Sequence, residues 1–221
     1  MTRAPLRGRR PAFHRGVELR CDRRFEDDAR AIGHIRVAGV DEVGRGALCG
    51  PVVAAAVVLG DGFDTTGLDD SKRLTPRQRE ALASRIRKGA LGFAVGLAEP
   101  AEIDRLNILR ATLLAMRRAV LGLPEQPDLL LVDALTIPGL AIEQRPIVKG
   151  DCLSVSIAAA SIVAKVARDE QMRELDRSHP GYGLAHNKGY GSEDHRDALR
   201  RLGPSTIHRR SFHGTQAWLF S

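Results

Sequence analysis

The stretch GVDEVGRG sets Asp41 and Glu42 side by side, directly after the apolar run VAGV and just before Gly44, Arg45 and Gly46. Adjacent carboxylates at the end of a buried strand repel, and burying even one unpaired carboxylate costs several kcal/mol. A cation must therefore stand beside them: Arg45, a metal ion, or both. Two more acids occupy comparable places, Asp133 at the end of DLLLVDA and Asp151 in VKGDCLS. Open α/β sheets gather their chemistry at strand ends, so the four acids are expected to converge. Hard oxygen donors in an incomplete cage suit Mg2+ or Mn2+, with water and substrate phosphate completing the octahedron.

Each acid also has a plainer reading. Taken alone, any of them is a surface residue or a helix cap, and Asp151 stands just before a helix whose end it could serve. Successive strand residues point to opposite faces. Asp41 and Glu42 can share a site only if the strand ends or bulges there, or if Glu42 reaches round on its longer side chain.

The elements that must position these acids are legible from pattern. VAGVD, PVVAAAVVL, LGFAVGLA and DLLLVDA are short apolar runs bounded by turn residues, and are expected to be strands. TPRQREALASRIRKGA opens with Thr75 as a cap and Pro76 at the first helical position, and closes near Gly89. Residues 101–121 read as a helix burying Leu109, Leu113, Met116 and Val120. Ser154 to Leu175 reads as a helix whose Ala158, Ala159 and Ala160 allow close approach to a sheet, and Ser192 caps EDHRDALRRLG. Strands cluster first and then alternate with helices, which predicts an α/β fold with a mixed β-sheet flanked by helices. GDGFDTTGLDD lacks the alternating order of a calcium loop.

The 221 residues suit one large domain. The net charge of +7 is uneven: residues 1–24 carry eight arginines against Glu18 and Asp22, leaving a nearly neutral body. Residues 1–24 are expected to form a disordered basic arm, either binding a polyanion or simply solvated, and 25–221 the folded domain. No apolar run is long enough for a membrane span, and the arginines near the start precede no apolar stretch. A cytoplasmic protein is the expectation. Cys21, Cys49 and Cys152 stand singly, suggesting neither disulfides nor a zinc knuckle. The seven histidines form no HExxH pair, and HRRSFH reads as a phosphate-facing patch.

Eight segments occur in register: GVDEVGRG, LDDSKRL, EIDRLNI, LVDA, VKGD, AAASIVAKVARD, NKGYG and HRRSF. With these the chain resembles bacterial ribonuclease HII from about residue 37 to 213. The resemblance implies a ribonuclease H-like fold with a C-terminal helical segment. It also implies an endonuclease that cuts the RNA strand of RNA/DNA hybrids and nicks duplex DNA 5′ of an embedded ribonucleotide. Carried over by position, it makes Asp41, Glu42, Asp133 and Asp151 the metal-binding acids, Gly44, Arg45 and Gly46 the ribose-reading element, and Tyr190 the reader of the junction. Two ions about 3.5–4 Å apart activate a water and stabilise the departing 3′ oxygen, leaving 3′-hydroxyl and 5′-phosphate ends. Lys72, Lys149, Lys165, Arg168 and Lys188 lie beside these motifs and are expected to hold phosphates, although Lys165 is equally placed to pair with Asp169. Ser71 and Asn107 are expected to touch the nucleic acid. Asn187 stands where many relatives have His, so no catalytic role passes to His186.

Near the end, Gln216, Leu219 and Phe220 resemble the Q-x-x-L-F peptide that docks on a sliding clamp; the alternative is a last helical turn packing Trp218 and Phe220 on the body. The chain is expected to act as a monomer. Two other functions fit the sequence less well. A DNA-cutting relative on the same fold would not need Gly44–Gly46 or Tyr190, and a catalytically silent nucleic-acid binder would give no reason for four acids at strand ends.

Overall fold

A computed structural model describes residues 21–216 of the chain. The arm's residues 1–20, and Leu219 and Phe220 of the clamp-like peptide, lie outside the described residues. In chain order the elements are α1 (Arg24–Ala31), β1 (Val37–Val43), β2 (Val52–Val58), α2 (Pro76–Gly89), β3 (Gly92–Ala98), α3 (Pro100–Leu106), α4 (Ile108–Leu121), β4 (Leu129–Asp133), β5 (Glu143–Ile147), a 3-10 turn at Gly150–Cys152, α5 (Val155–Ser178), α6 (Leu184–Asn187), α7 (Glu193–Leu202) and α8 (His213–Gln216). The five strands form one mixed sheet in the order β3-β2-β1-β4-β5. β1 and β3 run antiparallel to β2, whereas β4 is parallel to β1 and β5 to β4.

Both faces of the sheet are covered, so its central strands are apolar throughout, and β2 (VVAAAVV) is buried at every position. On one face Ala38, Val40, Ala54 and Ala56 pack against Ala111, Ala115, Met116 and Val120 of α4. On the other, Ala55 and Val57 meet Ala158, Ala159, Ile162 and Val163 of α5, with Ala83 and Ile86 of α2 alongside. Small residues bring the layers close. A Cβ on Gly39 of β1 would lie 2.0 Å from the backbone carbon of Ser156 in α5, and one on Gly96 of β3 would lie 2.2 Å from the carbonyl oxygen of Ala115 in α4. Gly39→Ala is therefore expected to cost ~3 kcal/mol or more, because backbone cannot yield as a side chain does. A urea titration checks this, and an unchanged midpoint would show that α5 shifts freely.

Helix ends follow the chemistry read from sequence. Thr75 accepts from the Gln78 N–H while the Gln78 side chain accepts from Thr75, closing a capping box before Pro76. Ser154 accepts from the Ile157 N–H, and Ser192 from the His195 N–H.

Three expectations are corrected, and one element is added. Residues 21–24 belong to the fold: Asp22 pairs with Ser154, and Arg23 donates to the carbonyls of Gly60 and Phe63. The helix expected over 101–121 breaks at Asn107, whose φ is +70°. Its buried stripe runs through Ala111, Ala115 and Ala119 with Met116 and Val120, leaving Leu109 45% exposed. Finally, β5 (EQRPI) was not foreseen: it is an edge strand, free to be polar and to hold Pro146.

Candidate active site

β1 delivers two of the acids from opposite faces. Its pairing with β2 continues unbroken through Asp41↔Ala55, Glu42↔Ala54 and Val43↔Val53, so the strand neither ends nor bulges at the acids. Asp41 leaves on the α5 face, as Gly39 does, and is 5% exposed. Its carboxylate takes a hydrogen bond from Ser161 of α5 and, on Oδ1, the Glu42 N–H at 2.7 Å. Glu42 leaves on the other face and reaches round on its longer side chain into the field of Asp133; its Oε1 meets Nη1 of Arg45 at 3.1 Å and Oε2 is buried with no partner.

β4 ends at Asp133, beside β1 in parallel register. Oδ1 of Asp133 accepts the Gly150 N–H at 2.7 Å, which ties it to the 3-10 turn carrying Asp151. Asp151 is buried and receives Nζ of Lys72 at 3.3 Å. It does not cap α5; Ser154 does, with its hydroxyl donating in turn to buried Glu26 at 2.6 Å.

Three of the acids are shifted by burial and by their acidic neighbours. Burial first, then Glu42 and Asp133, pushes the Asp41 pKa well above the usual carboxylate range. Burial raises Glu42, against Arg45 and with Asp133, and burial together with Asp151 raises Asp133. A divalent cation fits: it would give the orphaned Glu42 oxygen a partner and relieve the repulsion that holds these groups toward their neutral forms. Asp70, unforeseen, stands with Asp151 and Cys152 in a group whose ligand atoms lie within 4.8 Å of one another. Burial and the two acids push the Cys152 thiol up to about 11, so in the metal-free protein it is protonated at neutral pH.

Beyond β1, Gly44 has φ +92°, and a Cβ there would meet Nε of Arg168 at 2.1 Å. Around Gly46 a Cβ would find nothing within 4 Å. Tyr190 is 38% exposed, with the Arg168 guanidinium carbon 5.4 Å from its ring centroid. Lys72 and Lys149 are exposed, Lys149 in the left-handed region just before Gly150.

Several of the residues expected to contact substrate have protein partners of their own. Arg168 is fully buried and donates to the carbonyls of Pro51, Lys188 and Cys49, so it organises loops and presents no charge to solvent. Ser71 is buried with its hydroxyl 3.0 Å from that of Ser161, one step behind Asp41. Lys165 is engaged by Asp169 at 2.6 Å, one helical turn along α5. Asn107 caps α4 by accepting from the Arg110 N–H. Lys188 hydrogen-bonds the Ala185 carbonyl. In HRRSFH, His208 and Arg209 are buried, Arg209 donating to the carbonyls of Gly50 and Arg45, so those two face inward.

Burial and neighbouring His195 depress the His208 pKa from the ordinary 6.5 to about 4. The unfolded chain then binds the extra proton between those values, so this contribution to stability is complete above the unfolded pKa and falls away as pH drops through that window. Wild type is expected to lose more stability than His208→Gln between about pH 7 and about pH 5. Parallel urea titrations check it, and equal losses would contradict it.

A mixed five-stranded sheet with helices on both faces, and acids at the ends of β1 and β4 and in the turn before α5, has the architecture of a ribonuclease H-like nuclease. The sequence profile of Ribonuclease HII matches residues 38–215. A Ribonuclease HII of Desulfitobacterium hafniense (strain Y51) is 58% identical over 187 residues, covering 85% of this chain and 72% of the relative. The crystal structure of the ribonuclease H2 from Pyrococcus horikoshii OT3 superposes with TM-score 0.69 at 29% identity, covering 83% of this chain and 96% of that one. The PCNA:RNase HII complex from Archaeoglobus fulgidus contains a chain similar with TM-score 0.67 at 26% identity, covering 80% of this chain and 95% of that one. The chain belongs to the ribonuclease HII family, and is a nuclease of the ribonuclease H type acting on RNA/DNA hybrids. Among the described residues, no helix is long and apolar enough to cross a membrane.

Proposed function

We propose that the chain also nicks duplex DNA on the 5′ side of a single embedded ribonucleotide, with Asp41, Glu42, Asp133 and Asp151 holding two Mg2+ or Mn2+ ions. The observation that carries this reading is the placing of the acids, Asp41 and Glu42 near the end of β1 and Asp133 at the end of β4, tied through the Gly150 N–H to the turn of Asp151, with one Glu42 oxygen buried and unpartnered. When bound, the ions supply an activated water on one side of the phosphorus and charge stabilisation for the leaving 3′ oxygen on the other. The residues do the rest. Ser161 and the Glu42 N–H hold Asp41 in one rotamer, the Gly150 N–H holds Asp133, and Lys72 balances Asp151.

Ribose recognition falls to the turn after β1. The open space over Gly46 lets backbone approach a sugar where a side chain would intrude, and the 2′-hydroxyl is the group that distinguishes RNA from DNA. Tyr190, exposed and held from beneath by Arg168, offers its ring to the neighbouring deoxyribose. Exposed Lys72 and Lys149 contact phosphates and make affinity salt-dependent. A contact with a sliding clamp is proposed through Gln216, Leu219 and Phe220; the relative from Archaeoglobus fulgidus was solved in a PCNA:RNase HII complex.

The test is a nicking assay on a duplex with one ribonucleotide, with and without chelator. A single 5′ nick that vanishes with chelator is the expected result; equal cutting of an all-DNA duplex would overturn the substrate assignment.

A further inference from the structure

The C-terminal segment 205–209 is threaded between the two loops that read the sugar. Its backbone takes up Gly50 N–H on Ile207 and gives Arg209 N–H to Leu48, while Leu48 N–H bonds Gly189. Arg209 adds Nη1 to the Arg45 carbonyl at 2.9 Å and Nε to that of Gly50 at 3.0 Å. Within this lock, Cys49, His195 and His208 form a fully buried group with ligand atoms inside 4.8 Å.

Their hydrogen bonds assign the protons. The Ser205 N–H points at Nδ1 of His208 at 3.0 Å, so that nitrogen accepts and the proton of a neutral ring lies on Nε2. His208 Nε2–H then donates to His195 Nε2 at 3.2 Å. His195 therefore carries its own proton on Nδ1, which donates to the carbonyl of Tyr190 at 3.0 Å. A metal at this group would need the His208 nitrogen that carries the proton, so the order of donors favours a relay over a metal site.

We infer that the buried pair His195–His208 is a positioning device for Tyr190, a one-way chain of neutral imidazoles that fixes the Tyr190 backbone relative to the Gly44–Gly46 turn and so sets selectivity for the ribose–deoxyribose junction. The inference rests on the proposed role of Tyr190. Two further contacts converge on the same loop: Arg168 bonds the Lys188 carbonyl at 2.9 Å and lies under the Tyr190 ring. One strap thus holds both sugar-reading loops, and its last link ends on the backbone of the tyrosine itself.

The test compares kcat/KM on a single-ribonucleotide duplex with that on an uninterrupted RNA/DNA hybrid. His195→Leu is expected to lower the ratio ~10-fold, since small misplacements at a reacting centre cost one to two orders of magnitude. His195→Asn, whose amide can still donate to the Tyr190 carbonyl, is expected to restore most of it. A ratio unmoved by His195→Leu, in a protein where Tyr190→Ala lowers it, overturns the inference alone. A ratio unmoved by Tyr190→Ala overturns the role of the tyrosine. Should the leucine variant not fold, nitrogen-15 NMR of wild-type imidazoles at neutral pH decides. Neutral rings protonated on Nδ1 of His195 and Nε2 of His208 are expected, and the reverse tautomers or an imidazolium would overturn the relay.

Discussion

Replacing Asp133 by Asn is expected to lower kcat on the single-ribonucleotide duplex by ~10³-fold or more while leaving substrate affinity within about threefold. Loss of one preorganised charged group at a reacting centre costs two to three orders of magnitude, and loss of a metal ligand adds to that, whereas affinity comes from phosphate contacts made elsewhere. The same logic gives a second readout at Asp41. Its folded pKa lies well above its unfolded value, chiefly through burial. Such a group stabilises the metal-free protein fully below the unfolded pKa, and that contribution is lost as pH rises through the folded pKa. Asp41→Asn escapes the loss. In chelator at about pH 8 it is expected to melt ~2–4 °C above wild type, the shift that about 1 kcal/mol gives in a chain of this size. Wild type is expected to gain thermal stability on adding Mn2+, and the variant to gain little. Calorimetry with and without Mn2+ checks both signs; a variant melting below wild type in chelator would mean that Asp41 is held by structural bonds alone.

The second large effect separates two glycines. Gly46→Ala is expected to keep the wild-type melting temperature, because its Cβ meets nothing within 4 Å, yet to lower kcat/KM ~10²-fold by intruding on the approach of the ribose. Gly44→Ala is expected to lose stability instead. Its φ of +92° strains any L side chain, and the Cβ collides with buried Arg168. Melting curves beside steady-state kinetics distinguish the two, and a Gly46→Ala enzyme of full activity would remove that turn from substrate recognition.

What was legible in the sequence was whatever a short window carries. The apolar runs of β1 to β4, the cap at Thr75 before Pro76, and the acids at strand ends are each complete within a few residues. β5 was not, because an edge strand need not be apolar and Pro146 argues against a ladder. The stripe of α4 was misjudged by weighting the large Leu109 over Ala111, Ala115 and Ala119, which are the residues that let the helix approach the sheet. Arg168 reads as a phosphate ligand, and HRRSFH with Arg209 as a phosphate-facing patch, because most of the partners of these arginines lie more than a hundred residues away: the carbonyls of Cys49, Gly50, Pro51 and Arg45. No local pattern announces a buried guanidinium that binds backbone. Ser161 left a fainter trace, a polar residue on the apolar face of α5, whose use becomes clear once Asp41 is seen against it. The doubled acid of LDDSK was the available sign of Asp70.

The relation between fold and chemistry is one of opposed faces. β1 runs through without a bulge, so its neighbouring acids reach the sheet end from two sides, one braced by α5 and the other by Arg45. Asp133 and the turn at Gly150–Cys152 close the ring from the parallel half of the sheet.

Anomalous scattering from a crystal soaked in Mn2+ bears most directly on this arrangement. Manganese peaks in contact with the carboxylates of Asp41 and Asp133, with Glu42 or Asp151 completing the protein ligands, are the expected result. A map with no peak at these carboxylates under conditions where the enzyme nicks its substrate would contradict it.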